Sequence, residues 1–303
     1  MKKEDLQGYL VSAPLPWDEH GQLMVDPFRA AVRKLLQEKC DGIYLFGTSG
    51  EGYAVSDDEF KVIIDLFEVE TQEFDGFIQV GCFGINSDQV KVRCEMAADR
   101  GIAAVQITLP FWKELSDGEL MRYFQDVCGS FPGLSFLLYN NPRNKRRLNG
   151  RELSGIAAQV PNLHGTKTGS GSEMDFHELL TEASMLRHFV TESAFPFCYP
   201  LGAAGLIPSS NYTRPRFSRS YYEAVSAGDL PRSQELHRNI IRFFYETAVP
   251  LVRKGYIDGA IDKAYAKIGG LDIPLYMKSP YLPLSEEDYG WLEELVTREF
   301  PDE

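Results

Sequence analysis

The 303-residue chain predicts a (β/α)8 TIM barrel with a C-terminal helical extension. Short β-type runs alternate with longer helical patterns from near residue 8 to about residue 225, as a parallel sheet with crossover helices requires. Capping signals open the helical stretches, and the β signal then stops.

The strand candidates are residues 9–13, 42–46, 77–80, 103–108, 135–139, 163–167, 188–191 and 205–208. Asp26-Pro27 precedes the first helical stretch, Ser87 the third, and the capping boxes Ser56-x-x-Glu59 and Ser116-x-x-Glu119 open the second and fourth. A strand–helix rhythm repeated eight times suits a closed barrel better than an open doubly wound sheet, although spacing alone leaves both standing. A barrel takes about 250 residues as one unit, so one barrel plus an appendix accounts for the length. Residues 1–225 are expected to form the barrel and 226–303 a helical domain with helices over 231–253, 257–268 and 285–300. Neither a solenoid repeat nor a low-complexity linker intervenes.

With 44% hydrophobic and 25% charged residues, the composition is that of an ordinary globular protein with a sizeable core. A formal charge of −13 argues against nucleic acid or anionic lipid as a partner. The five cysteines (Cys40, Cys82, Cys94, Cys128, Cys198) contain no C-x-x-C pair, so neither a disulfide framework nor a zinc ribbon is indicated. The N-terminal lysines have no apolar stretch behind them and no run reaches membrane-spanning length, which predicts a cytoplasmic protein without membrane association. His20, His164, His177, His188 and His237 show no metal-ligand spacing, so no metal is expected.

In such a barrel the site lies at the C-terminal ends of the strands, where the βα loops converge. Lys167 ends the sixth strand candidate. Burial there favours the neutral amine, the form that attacks a keto carbon, and the resulting iminium is an electron sink for making or breaking a neighbouring C–C bond. Taken alone, a strand-end lysine reaching solvent or a carboxylate is the commoner case. Tyr139 ends the adjacent strand candidate and offers a phenol for proton transfer. The turn at residues 47–51 (Gly-Thr-Ser-Gly-Glu) supplies the hydroxyls of Thr48 and Ser49 and exposed amides suited to a carboxylate. Its glycines run G-x-x-G-x-G, the reverse of the dinucleotide fingerprint, and no P-loop lysine follows, which excludes nucleotide cofactors. The basic run 143–147 suits a solvated loop, and Gly169-Ser170-Gly171-Ser172 suits a tight turn beside the lysine.

Together these residues resemble the dihydrodipicolinate synthase / N-acetylneuraminate lyase family of class I, pyruvate-dependent aldolases. The resemblance covers nearly the whole chain. It rests on the G-T-[TS]-G-E turn at 47–51, Y-N-x-P at 139–142, G-x-K at 165–167, the glycine-rich segment 202–211 and the helical tail. Tyr139 precedes Lys167 by 28 residues, a spacing characteristic of that family. The resemblance implies that Lys167 forms the Schiff base and Tyr139 relays protons. It also implies that Thr48 and Ser49 hold the substrate carboxylate, Ser49 bridging toward Tyr139, and that Leu206 lines the keto-acid pocket. It further implies a 2-keto acid and an aldehyde as reactants, no cofactor, and a homotetramer or homodimer.

Two departures bear on the substrate. Asn144 stands where the synthases carry an arginine for the aldehyde's carboxylate, and Trp112 stands where they carry a second relay tyrosine. Trp112 and Asn141 instead resemble hydratase-aldolases that cleave hydroxybenzylidene-pyruvate-type compounds, the indole stacking on an aromatic aldehyde and the amide orienting a water or hydroxyl. Keto-deoxy-sugar-acid aldolases, the dihydrodipicolinate synthase reaction and a catalytically silent keto-acid binder stay open as alternatives.

Overall fold

The computed structural model describes residues 2–302. Eight parallel strands close in sequence order into a barrel: β1 Gly8–Ser12, β2 Gly42–Leu45, β3 Phe77–Gly81, β4 Ala104–Ile107, β5 Ser135–Tyr139, β6 Leu163–Thr168, β7 Arg187–Val190 and β8 Gly205–Leu206. The expected (β/α)8 barrel is therefore present, each strand lying within two residues of its sequence estimate. Closure joins β1 to β8 through the pairs Gly8↔Gly205 and Tyr9↔Leu206. A Cβ on Gly205 would stand 2.0 Å from the Gly8 carbonyl oxygen, so the seam depends on a residue with no side chain there.

Helices α1 Val25–Gln37, α2 Asp57–Thr71, α3 Ser87–Ala98, α4 Asp117–Cys128, α5 Gly150–Ala157, α6 Glu173–Glu182, the single turn α7 Phe195–Cys198 and α8 Pro215–Ser226 surround the sheet. Both capping boxes form: the Glu59 and Glu119 carboxylates each accept the N-cap serine's N–H at 2.8 Å. Two starts differ from expectation. α1 begins at Val25, so Pro27 lies inside its first turn, and the cap of α3 is Asn86, whose side-chain oxygen accepts the Gln89 amide at 2.9 Å.

The tail comprises α9 Leu230–Glu246, α10 Ala248–Arg253, α11 Asp258–Ile268 and α12 Glu286–Glu299. The single helix expected over 231–253 is thus two. Pro250 has no N–H to give the Glu246 carbonyl, and buried Thr247 turns its hydroxyl back onto the Phe243 carbonyl at 2.6 Å, so the ladder breaks between them. The tail has a core of its own around Phe243, Leu251, Tyr265, Leu292 and Phe300, joined to the barrel through Ala31 and Tyr212. No helix among the described residues is long and apolar enough to cross a membrane.

Candidate active site

Side chains alternate across a strand, and register partners on neighbouring parallel strands share a face, so the barrel interior can be followed strand by strand. Ser12 pairs with Tyr44 and Tyr44 with Gln79; Tyr139 pairs with Lys167, Lys167 with Phe189, and Phe189 with Gly205. Leu10, Tyr44, Ala104, Leu137, Phe189 and Ile207 form one apolar cluster on this inner face. Above that cluster the interior turns polar. Gln79 Nε2 donates to Gln106 Oε1 at 3.2 Å, and Gln106 Nε2 donates to Tyr44 Oη at 2.5 Å. Burial pushes the Tyr44 phenol well above its ordinary value, which keeps it neutral.

Lys167 lies in this polar zone. Its Nζ is 4.6 Å from the centroid of the Tyr139 ring and 5.7 Å from that of Tyr44. The Tyr139 hydroxyl makes no hydrogen bond to the described residues, and so is free to serve a ligand. An amine and a phenol therefore share one mouth, on adjacent strand ends.

The turn carrying Thr48 and Ser49 follows β2. Its amides at Thr48, Ser49 and Gly50 donate to no described backbone oxygen, while those of Glu51 and Gly52 close the turn onto the Thr48 and Gly47 carbonyls. Glu51 anchors the turn beneath. Its carboxylate is fully buried against the Lys263 ammonium and also accepts from Trp17 Nε1 at 2.8 Å and the Lys278 amide at 2.9 Å. The Ser49 hydroxyl is 2.8 Å from Ser12 Oγ and 2.8 Å from Tyr212 Oη. It is held by these two residues, and the expected bridge from Ser49 to Tyr139 is absent from the described geometry. Thr48, its neighbour in the turn, is the one that shares a cavity wall with Tyr139.

That cavity measures about 700 Å³ and opens over Tyr139 between Thr48, Tyr53, Phe83, Thr108, Phe111 and Tyr281, with Asn141, Arg143 and Ile257 also on its wall. Two buried hydroxyls on it, Tyr53 Oη and Thr108 Oγ1, have no hydrogen-bond partner among the described residues. A larger cleft of about 1330 Å³ lies at the other end of the barrel, beside Gly8, Asp41 and Phe77, away from Tyr139; Lys167 is on the wall of neither.

Three expected binding residues fall elsewhere or are already engaged. Trp112 is 88% exposed and off the cavity wall, whereas Phe111 is on it. After the short β4 the chain leaves the barrel as an irregular loop, whose backbone has no period to set which side chain turns inward. Leu206 is fully buried between sheet and helices; because Phe189 pairs with Gly205, it is Ile207 that faces inward. Asn141 reaches the wall, but its oxygen accepts the Arg143 amide at 2.8 Å and its nitrogen donates to the Tyr139 carbonyl at 3.2 Å, so its amide serves the local turn. Asn144 is likewise buried and donates to the Tyr139 carbonyl at 2.7 Å. Ser12, Tyr212 and Lys263 had no sequence signal, since each acts on the 47–51 turn from a distant part of the chain.

The profile of the Dihydrodipicolinate synthetase family matches residues 5–299. A 4-hydroxy-tetrahydrodipicolinate synthase of Methanothrix thermoacetophila is 24% identical over 93% of each chain. N-acetylneuraminate lyase 2 of Escherichia coli O6:H1 is 22% identical over 98% of this chain and 96% of its own. The crystal structure of YagE, a prophage protein of E. coli K12 in complex with pyruvate, superposes with a TM-score of 0.86 at 20% identity, covering 96% of this chain and 97% of YagE. At that identity the superposition speaks to the fold, while the profile speaks to descent over nearly every residue. The chain belongs to the dihydrodipicolinate synthetase family.

Proposed function

We propose that this protein is a class I aldolase or lyase that holds pyruvate as a Schiff base on Lys167 and forms or cleaves a C–C bond to an aldehyde. The observation that carries this reading is the pairing of the Lys167 amine with the unengaged Tyr139 phenol at the barrel mouth. Lys167 attacks the keto carbon, the carbinolamine loses water, and the iminium accepts the electrons of the breaking C–C bond. Tyr139 carries protons to and from the carbinolamine and the aldehyde oxygen. The unpaired amides of the turn, with the Thr48 and Ser49 hydroxyls, take the carboxylate.

The aldehyde half occupies the cavity beyond Tyr139. Phe83, Phe111, Tyr53, Tyr281 and Ile257 suit an aromatic or apolar body, and the free hydroxyls of Tyr53 and Thr108 suit a polar substituent on it. A second reading, condensation with aspartate semialdehyde, has one observation in its favour: Arg143 reaches the same wall. Its guanidinium is already paired with Asp258 at 2.8 Å. The working form we infer is a cytoplasmic homodimer or homotetramer, which the exposed Trp112 and Leu282 support.

Incubation with pyruvate and borohydride, followed by intact-mass and peptide analysis, tests the reading. Lys167 is expected to carry the reduced adduct and Lys167→Ala none; an adduct on another lysine, or no adduct, removes it. Pyruvate release from 4-hydroxy-2-keto acids with aromatic tails, set beside semialdehyde condensation sensitive to Arg143→Ala, separates the two substrate readings.

A further inference from the structure

A smaller cavity of about 240 Å³ lies outside the barrel, behind the ends of β5 and β6 and against the starts of α5 and α6. Its wall includes Asn140, the residue after Tyr139, and Thr168, the residue after Lys167. Side chains alternate along a strand, so Thr168 turns outward where Lys167 turns inward. The Asn140 amide donates to the Lys167 carbonyl at 2.9 Å, which ties the two strand ends together. Arg147, from the basic run 143–147, and Ser170, from the Gly-Ser turn 169–172, meet over this cavity: Arg147 Nη1 donates to the Ser170 carbonyl at 2.7 Å. Leu148, Phe176 and Leu179 supply its apolar side, as part of the layer between sheet and helices.

Thr168 is 4% exposed, and its Oγ1 is buried without a hydrogen-bond partner among the described residues. A hydroxyl left so is destabilising, and one on a cavity wall points to a group that the chain does not supply. Its polar neighbours are already engaged. Asn140 Nδ2 donates to the Leu148 carbonyl at 2.8 Å and its Oδ1 accepts the Leu148 amide at 2.9 Å. Asn149 Oδ1 accepts the Glu152 amide at 2.9 Å. Asp175, the one carboxylate on the wall, accepts the Ser172 amide at 2.8 Å and Arg147 Nη2 at 2.6 Å. What is left over is a set of donors: the Thr168 hydroxyl, the remaining N–H groups of Arg147, and the amides of Gly169, Ser170 and Gly171, which donate to no described backbone oxygen. The N-termini of α5 and α6, capped by Asn149 and Ser172, add the positive ends of two helices.

We propose that this cavity is a binding site for a small carboxylate anion, separate from the 47–51 turn. The carboxylate takes the Thr168 hydroxyl and the Arg147 guanidinium, and a short apolar tail lies on Leu148, Phe176 and Leu179. Arg147 and Asp175 together are neutral, so the helix ends and the spare donors set the preference for an anion. The size agrees. A cavity of roughly 150 Å³ accommodates benzene, and this one, at about 240 Å³, takes an anion of similar or slightly greater bulk. The inference does not depend on Lys167 being the Schiff-base amine.

Sodium butyrate is the probe, because it has no keto group and forms no imine. Butyramide is its neutral isostere, and inorganic phosphate is an anion without a tail. Isothermal titration calorimetry at constant ionic strength compares wild type with Thr168→Val, Arg147→Met and Thr48→Val, each checked by circular dichroism and thermal melting. Butyrate is expected to bind wild type and Thr48→Val alike, and Thr168→Val about tenfold more weakly, the usual loss of one hydrogen bond to a charged group. Arg147→Met is expected to lose at least as much, and butyramide and phosphate to bind wild type more weakly than butyrate. Butyrate binding unchanged in Thr168→Val overturns the proposal, as does binding lost in Thr48→Val, which places the anion at the barrel mouth. Absence of binding to wild type at about 50 mM butyrate, too weak to mark a site, overturns it as well. Equal or tighter binding of butyramide or phosphate overturns the class of ligand. Thr168→Val is nearly isosteric and removes an unpartnered hydroxyl, so it decides alone should Arg147→Met fail to fold.

Discussion

Tyr139 and Lys167 are register partners on β5 and β6, and the lysine amine lies 4.6 Å from the centroid of the tyrosine ring. The pairing brings an amine and a phenol to one mouth with no loop needed to position either. Tyr139→Phe keeps the ring against the amine and removes only the hydroxyl. Turnover is expected to fall by roughly 10²–10⁴-fold, the usual contribution of a general acid–base group, with the fold unchanged. Steady-state pyruvate release measures it, and unchanged turnover would return Tyr139 to a packing role.

The cavity geometry distinguishes two neighbouring aromatics. Phe111 is on the wall and Trp112 is turned to solvent. Phe111→Ala is therefore expected to raise KM for an aromatic-tailed substrate by about tenfold, the loss of part of one aromatic contact, and Trp112→Ala to raise it less. The reverse order would show that Trp112 meets the substrate in the working enzyme.

Glu51 and Lys263 form an ion pair buried on both sides, and it ties the 47–51 turn to α11. Removing one partner leaves the other charge buried alone. Lys263→Met or Glu51→Gln is expected to cost about 3–5 kcal/mol in denaturant unfolding, and the double variant less than the sum of the two. Additive losses would mean that the groups act independently.

His188 supplies a pH dependence of stability. Its Nε2 faces the Ala183 carbonyl at 2.9 Å, which only accepts, so the ring proton is on Nε2 and Nδ1 accepts from the Thr166 hydroxyl at 2.8 Å. Burial lowers its pKa to about 4. An unfolded histidine, with a pKa of about 6.5, binds its proton first as pH falls, so the contribution of His188 is full above that value and is lost on acidification toward pH 4. The shift corresponds to at most about 3 kcal/mol. Thermal melting from pH 4 to pH 7 is expected to show a shallower acid decline in His188→Gln than in wild type; parallel curves would assign the decline to other groups.

Much of the architecture was legible in the chain itself. Eight β-type runs, two capping boxes and the loss of β signal near residue 225 predict a closed barrel with a helical tail, because backbone propensity and capping act over a few residues. The placing of Lys167 and Tyr139 was legible for the same reason: both lie at the C-terminal end of a short strand, where the βα loops of such a barrel converge.

What tertiary structure alone decided were facing and partnership. Leu206 and Ile207 are both apolar and adjacent, and only the chain of register pairs from Lys167 through Phe189 to Gly205 determines that Ile207 points inward. Phe111 and Trp112 lie in a loop with no period from which orientation can be read. Ser49 is held by Tyr212 from 163 residues away, and Glu51 is held by Lys263 from a helix beyond the barrel. Propensity is local, so a sequence announces its strands and helices; which side chains then meet depends on register and on where the last helices dock, and those are properties of the closed barrel as a whole.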